Sequence, residues 1–211
     1  RDMKSRRSGV IVNVLGVAKV SSVTQPAAGG TGTKQETYAY DANGNLVRKR
    51  DFRGYMTCYT YDSARNLEIS RTEGLSGTSC PGSVIGGVTR TTVTAWHPNY
   101  ALPASVATYA GGSAAGTLLR TVAQAFDMDG NVLTRTVSDA TTLPATVRTW
   151  SFTYNSAGQL LSEDGPRNDV ADVTAYAYYN CTTGFQCGQL HTVTNALNQT
   201  DVPPLLSSRR L

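Results

Sequence analysis

The sequence predicts an all-β chain made of repeated antiparallel β-hairpins laid side by side in an open ribbon. Three observations predict it. The 211 residues include 20 glycines and 11 tyrosines against 4 phenylalanines, with Thr and Val throughout, and these are residues of strands and turns. The stretch TYAYDANGNL at 37–46 returns as CYTYDSARNL at 58–67, the Tyr-Asp and Asn-Leu pairs displaced by 21 residues, which marks a copied unit. No stretch carries the 3.6-residue apolar period of a helix. A hydrophobic fraction of 40% and a net charge of only +4 exclude a disordered chain.

Five copies align on their turns. The first is Tyr38-Ala-Tyr40-Asp41-Ala-Asn43-Gly44-Asn45-Leu46, and the second is Tyr59-Thr-Tyr61-Asp62-Ser-Ala-Arg65-Asn66-Leu67. The third runs from Phe126-Asp127 through Gly130-Asn131-Val132. The fourth runs from Phe152-Thr-Tyr154-Asn155 through Gly158-Gln159-Leu160. A degenerate fifth begins at Tyr176-Ala-Tyr178 and resumes at Gly188-Gln189-Leu190. Aromatics two residues apart project to one face of a strand. The following Asp41, Asp62, Asp127 or Asn155 accepts backbone N–H groups two or three residues on and opens a turn. Gly44, Gly130 and Gly158 then occupy the slot that requires positive φ, as in a type I turn closed by a G1 bulge. Arg65 fills that slot in the second copy, so the left-handed residue there is expected to shift to Asn66. A second strand follows each turn.

A lone hairpin is marginal in water, whereas hairpins side by side share edges and an aromatic face. The turn residues are 21 apart between copies one and two and 28 apart between copies three and four. The return loops therefore vary while the hairpins do not, which is repeat architecture. Repeats are expected over 17–205, with a longer insert at 75–124. In that insert 83–96 and 102–110 read as strands, HPNYALP as a turn held by Pro98 and Pro103, and GGSAAG at 111–116 as a hairpin loop. Residues 1–16 read as a leading strand or a foreign junction, and 206–211 as a ragged end. The chain starts at Arg1 with no signal-peptide pattern, and its longest apolar run is too short to span a bilayer.

Residues that could carry chemistry have structural readings. Cys181 and Cys187 bracket TTGFQ in the degenerate hairpin, where a disulfide would pin an enlarged loop. A second pairing, Cys58 with Cys80, ranks below it because the return strand would have to fold back. Disulfides favour an extracytoplasmic location. DMDGN at 127–131 lacks the glycine and final carboxylate of a calcium loop, so no metal site is expected. His97 and His191 lie in different elements with no nucleophile motif, and Glu163-Asp164 read as a polar turn. No catalytic residue and no cofactor site is expected. Arg48, Lys49, Arg50 and Arg53 read as a solvated strand face rather than a nucleic-acid contact. Residues 3–18 are similar to a strand of short-chain dehydrogenases, but neither Tyr-x-x-x-Lys nor a dinucleotide glycine motif follows.

The YxYDxxGNL hairpins resemble the RHS/YD-repeat family, as do the accompanying segments WHPNYALP and NCTTGFQCGQLHTVTNALNQT. The resemblance implies a curved ribbon that is a segment of a spiral β-shell, non-catalytic in itself, in secreted or surface proteins of bacteria. It implies the remaining repeats of a longer parent chain as partners. In many members the shell also encloses a C-terminal toxin domain. The alternative function is a carbohydrate or cell-surface binding module that grips a glycan with exposed aromatics. The two readings differ over Tyr38, Tyr40, Tyr59, Tyr61, Phe152 and Tyr154, which a shell covers and a glycan binder leaves exposed in a row. Phe126, Tyr176 and Tyr178 complete the aromatic set.

Overall fold

The computed structural model describes residues 11–14, 20–26, 33–181 and 186–204. They form strands and turns, with no helix among them. The chain divides into two compact units, Arg1–Trp96 with Val106–Leu119, and His97–Ser105 with Arg120–Leu211.

In the first unit the strands are β1 (Ile11–Val14), β2 (Val20–Pro26), β3 (Thr33–Tyr40), β4 (Leu46–Arg50), β5 (Met56–Asp62), β6 (Leu67–Leu75) and β7 (Arg90–Trp96). Each pairs antiparallel with the next in sequence. β8 (Pro103–Ala110) follows. The second unit contains β9 (Leu118–Phe126) from Arg120 on, β10 (Val132–Asp139), β11 (Thr146–Tyr154), β12 (Leu160–Asp164), β13 (Val173–Tyr178), β14 (Leu190–Thr194) and β15 (Thr200–Asp201). These too pair antiparallel in chain order. The architecture is all-β and built from local hairpins, as the repeat predicts.

Register shifts fall beside the turns, between Ala39 and Tyr40, Thr60 and Tyr61, Thr153 and Tyr154, and Ala177 and Tyr178. In each, one extra residue stands on the return strand opposite the second aromatic of the copy, Val47, Ile69, Leu161 and His191 in turn, and bends that strand as it leaves the turn.

Residues directly opposite in an antiparallel pair share a face, so the register sorts the second unit into two unlike faces. One carries Phe126, Trp150, Phe152, Tyr176, Val122, Val137 and Val193. The other carries Ala123, Ala125, Thr134, Thr136, Thr149, Ser151, Thr153, Ser162 and Ala175. Hydroxyls on this second face pair across strands, Thr136 with Thr149 at 3.1 Å and Thr153 with Ser162 at 2.6 Å.

Among the described residues the buried hydrophobic side chains are Met56 and Leu75, 0% and 1% exposed. They oppose each other across β5 and β6. The segment after Leu75 folds back over them: Ser76 and Ser83 exchange backbone hydrogen bonds of 2.9 and 2.8 Å, and Arg48 donates to the Thr78 carbonyl. Gly82 lies over Met56, with positive φ, so close that a Cβ there would be 2.5 Å from Met56 Cε. Thr89 is also buried; its hydroxyl donates to the Gly74 carbonyl and accepts from Ile85 N–H, both at 2.8 Å.

Two expectations about element boundaries are corrected. β7 begins at Arg90 rather than near Ser83, because Ile85 O accepts N–H from both Val88 and Thr89 and turns the chain through Gly86-Gly87. Glu163 and Asp164 end strand β12, paired with Thr174 and Val173, and the turn starts only at Gly165. Of the leading segment 1–16, residues 11–14 form β1; residues 1–10 and 206–211 lie outside the described residues.

Candidate functional site

One turn recurs along the chain. Asp41 N–H donates to Asn45 O at 2.9 Å, Gly44 N–H donates to Asp41 O at 3.1 Å, and Asn45 N–H donates to Asp41 Oδ1 at 2.8 Å. The same loop closes on Asp127, where Asp129 and Asn131 N–H donate to Oδ1 at 3.0 and 2.8 Å. It closes on Asn155 through Ala157 and Gln159 N–H, both at 3.0 Å. Gly44 and Gly130 have φ of 92° and 87°. In the second copy Asn66, φ 54°, takes the left-handed position beside Arg65, and Ala64 N–H donates to Asp62 Oδ1 at 2.8 Å.

The residue four positions on is matched to the one that opens the turn. Asp41 and Asp127 have only acceptors to offer, and Asn45 and Asn131 donate Nδ2 to their Oδ2 at 2.9 and 2.8 Å. Asn155 has a spare donor, and its Nδ2 donates to Gln159 Oε1 at 2.8 Å. The side-chain hydrogen bond from Asn45 holds the Asp41 carboxyl below its ordinary value. The one from Asn131 does the same for Asp127.

Three further turns of this kind fall outside the five aligned copies. Asp51 accepts Arg53 and Tyr55 N–H at 2.9 Å each, with Gly54 at φ 89°. Asn195 accepts Leu197 and Gln199 N–H at 2.9 and 3.0 Å, with Asn198 at φ 58° in the glycine slot. In the insert, His97 occupies the Asp position. Its Nδ1 accepts Asn99 and Tyr100 N–H at 3.2 and 3.3 Å, and its own N–H donates to Leu102 O at 2.8 Å. The sequence signal for Asp51 was a glycine three residues later. For His97 it was Trp96 in the place of a repeat tyrosine.

Aromatic hydroxyls and an indole tie neighbouring hairpins together. Tyr61 OH donates to Leu46 O and Tyr178 OH to Leu160 O, both at 2.9 Å. Trp96 Nε1 donates to Glu68 O at 2.8 Å. In each case the acceptor lies just past the preceding copy's turn. Tyr38 OH donates to Glu36 Oε2, and Glu36 Oε1 pairs with Lys49 Nζ at 2.7 Å. Burial first, then that hydrogen bond, pushes the Tyr38 hydroxyl up to about 12. All nine repeat aromatics, Tyr38, Tyr40, Tyr59, Tyr61, Phe126, Phe152, Tyr154, Tyr176 and Tyr178, are half-buried.

The four cysteines form two disulfides, Cys58–Cys80 and Cys181–Cys187. The fold-back of 76–83 brings the first pair together. His97 stacks on Tyr100 with centroids 5.0 Å apart, whereas His191 packs against Tyr179 at 4.4 Å. Among the described residues no group of three or more His, Cys, Asp or Glu side chains could hold a metal ion. No helix among them is long and apolar enough to cross a membrane.

An acid-dependent contrast between the turns follows. Because the folded carboxyl of Asp127 sits below its unfolded value, its contribution is complete above the ordinary carboxylate range. It is lost as pH falls through the folded value. Asp127→Asn is expected to keep the turn at pH 7, with the Asn131 amide rotated to accept as Gln159 does, and to flatten the loss of stability in acid. Asp127→Ala leaves two turn N–H groups without their acceptor and is expected to lower stability at neutral pH. Urea unfolding of the three proteins at neutral and acid pH measures both effects.

A chain of copied Asx-turn hairpins with aromatic strands is an all-β repeat protein. Residues 40–78, from the first Tyr-Asp turn through the second hairpin, match the RHS Repeat family. That match falls on the Tyr-Asp hairpins that resemble the family in sequence. The comparison with curated proteins finds no match. Among solved structures the chain is similar to the TcdB2-TccC3-Cdc42 crystal structure at 15% identity and a TM-score of 0.40, over 86% of this chain and 11% of that one. It is also similar to TcdB2-TccC3, at 16% identity and a TM-score of 0.42, over 93% of this chain and 12% of that one. The figures for TcdB2-TccC3 without its hypervariable C-terminal region are 16%, 0.42, 85% and 11%. The chain thus spans about a tenth of the length of those chains.

Proposed function

We propose that this protein is a structural wall: a non-catalytic run of RHS-type hairpins that forms part of a curved β-shell, with further repeats of a longer chain as its neighbours. The observation that carries this reading is the lateral bond that the second and the fifth copy each make to the copy before it, Tyr61 to Leu46 O and Tyr178 to Leu160 O. These bonds spend the repeat tyrosines on joining hairpins. The apolar side chains support it as well. With Met56 and Leu75 as the buried hydrophobics among the described residues, the aromatic face is covered only from one side and suits a lining. In the family this lining faces an enclosed toxin domain in many members, and that is the partner proposed here. Two disulfides fit a secreted or surface location.

Alanine substitution tests the wall directly. Tyr61→Ala and Tyr178→Ala are each expected to lower unfolding stability by about 1–2 kcal/mol, half-buried rings contributing part of a full burial term. Their phenylalanine counterparts are expected to lose about 0.5–1.5 kcal/mol for the hydrogen bond alone. Unchanged urea midpoints for both alanine variants would sink the reading.

A further inference from the structure

The turn at 97–102 closes on a side chain that titrates near neutrality. His97 N–H donates to Leu102 O at 2.8 Å, and its Nδ1 accepts N–H from Asn99 and Tyr100 at 3.2 and 3.3 Å. An imidazole nitrogen accepts only while it carries no proton, so the closed turn requires the neutral ring with its hydrogen on Nε2. The turns at Asp127 and Asn155 differ. A carboxylate stays an acceptor down to about pH 4, and an amide does not titrate. The His97 turn is also docked on the Asp127 turn. Its ring stacks on Tyr100 with centroids 5.0 Å apart and meets Phe126 edge-on at 5.9 Å. Tyr100 OH donates to Met128 O at 2.6 Å. Gly130 makes room for Leu102, whose Cδ1 would stand 3.3 Å from a Cβ at that position.

We propose that the 97–102 turn is an acid-sensitive clasp, closed on the Asp127 turn while His97 is neutral and released when the ring takes up a proton. Imidazole side chains change charge between about pH 5 and 8. A proton on Nδ1 sets a third donor against two backbone donors and leaves both without an acceptor. Tyr100 N–H is one of the two, so the bond that aims the Tyr100 ring and hydroxyl at Met128 is lost with it. Within its unit His97 shares a groove with Asn99, Tyr100, Phe126, Asp127 and Met128. Of these lining residues Asp127 carries the charge. Its oxygens are already engaged by Asp129 N–H, Asn131 N–H and Asn131 Nδ2. Attraction between partly exposed charges is small, so Asp127 does not replace the lost cap. Asp129, the other acid of that turn, lines the groove toward the Asn155 turn instead. Because the folded turn uses the neutral ring, the clasp is complete above the imidazole range and is lost as pH falls through it. The clasp does not depend on the wall reading; a wall built from this chain acquires a joint that weakens in acid.

Amide hydrogen exchange of the whole chain, read by mass spectrometry and corrected for the intrinsic effect of pH on exchange, tests the clasp. In the unsubstituted chain, protection over 97–102 is expected to fall at least about fivefold between about pH 7.5 and 5. The Asn155 turn, where Ala157 and Gln159 N–H donate to an amide oxygen, is expected to change by less than about twofold over the same range. His97→Asn supplies the acceptor that Asn155 and Asn195 supply to their turns, and its 97–102 segment is expected to hold its protection within about twofold. His97→Asp repeats the comparison with a carboxylate that stays an acceptor down to about pH 4. The internal Asn155 control keeps the test decisive even if a variant fails to fold. The proposal is overturned if 97–102 in the unsubstituted chain keeps or gains protection in acid. It is also overturned if folded capping variants lose as much protection as the unsubstituted chain, or if the Asn155 turn loosens equally.

Discussion

Met56→Ala is expected to destabilise the first unit by about 2–5 kcal/mol, the range for truncating a buried methionine. Its effect is concentrated because its setting is rare in this chain. Met56 is 0% exposed, opposes Leu75 in register and lies under Gly82. A sheet whose other apolar side chains are at best half-buried has little else to absorb the cavity. Gly82→Ala attacks the same contact from the other side. It combines a Cβ 2.5 Å from Met56 Cε and 3.1 Å from Ser76 O with a φ of 67°, where side chains are strained. The matched control is Met128→Ala at a turn tip, 91% exposed, for which no change is expected. Thermal or urea unfolding of the three variants decides it: if Met56→Ala resembled Met128→Ala, the small covered core would not be the stabilising centre of its unit.

Removing the Cys58–Cys80 disulfide is expected to cost about 3 kcal/mol in the chain-entropy account, since it closes 22 residues of separation. The Cys181–Cys187 bridge spans only 6 and is expected to contribute about 2 kcal/mol. The first bridge also holds 76–83 over Met56, so its loss and Met56→Ala should not add independently. Cys58→Ser with Cys80→Ser should therefore cost more than Cys181→Ser with Cys187→Ser. In the Met56→Ala background the first pair should cost measurably less than alone. Urea unfolding of the double and triple variants provides both numbers. Equal losses for the two bridges would remove the special standing of the 76–83 cover.

What could be read from the sequence was local. An Asp or Asn, a glycine three residues on and a polar partner at the fourth position define a turn through contacts within five residues. The slot of Asn66 followed from Arg65 standing where glycine was needed. The Asn195 turn escaped because no aromatic pair precedes it in HTVTNALNQT and Asn198 replaces the glycine. His97 escaped because its ring nitrogen does the work of a carboxylate oxygen at a similar reach. Cys58–Cys80, the cover over Met56 and the late start of β7 all depend on the chain after Leu75 folding back. That event is set by contacts among 47–58, 75–89 and 111, and no local pattern encodes it.

Wall tiles of the kind proposed here have further repeats as neighbours and leave an apolar aromatic face that a lone segment cannot cover. Sedimentation velocity on the whole oxidised chain, across about 1 to 100 µM, tests this most directly. Concentration-dependent association is expected, driven by the half-buried aromatic face and reduced by substitutions on that face. A monomer at every concentration, with a single sharp thermal transition, would contradict it.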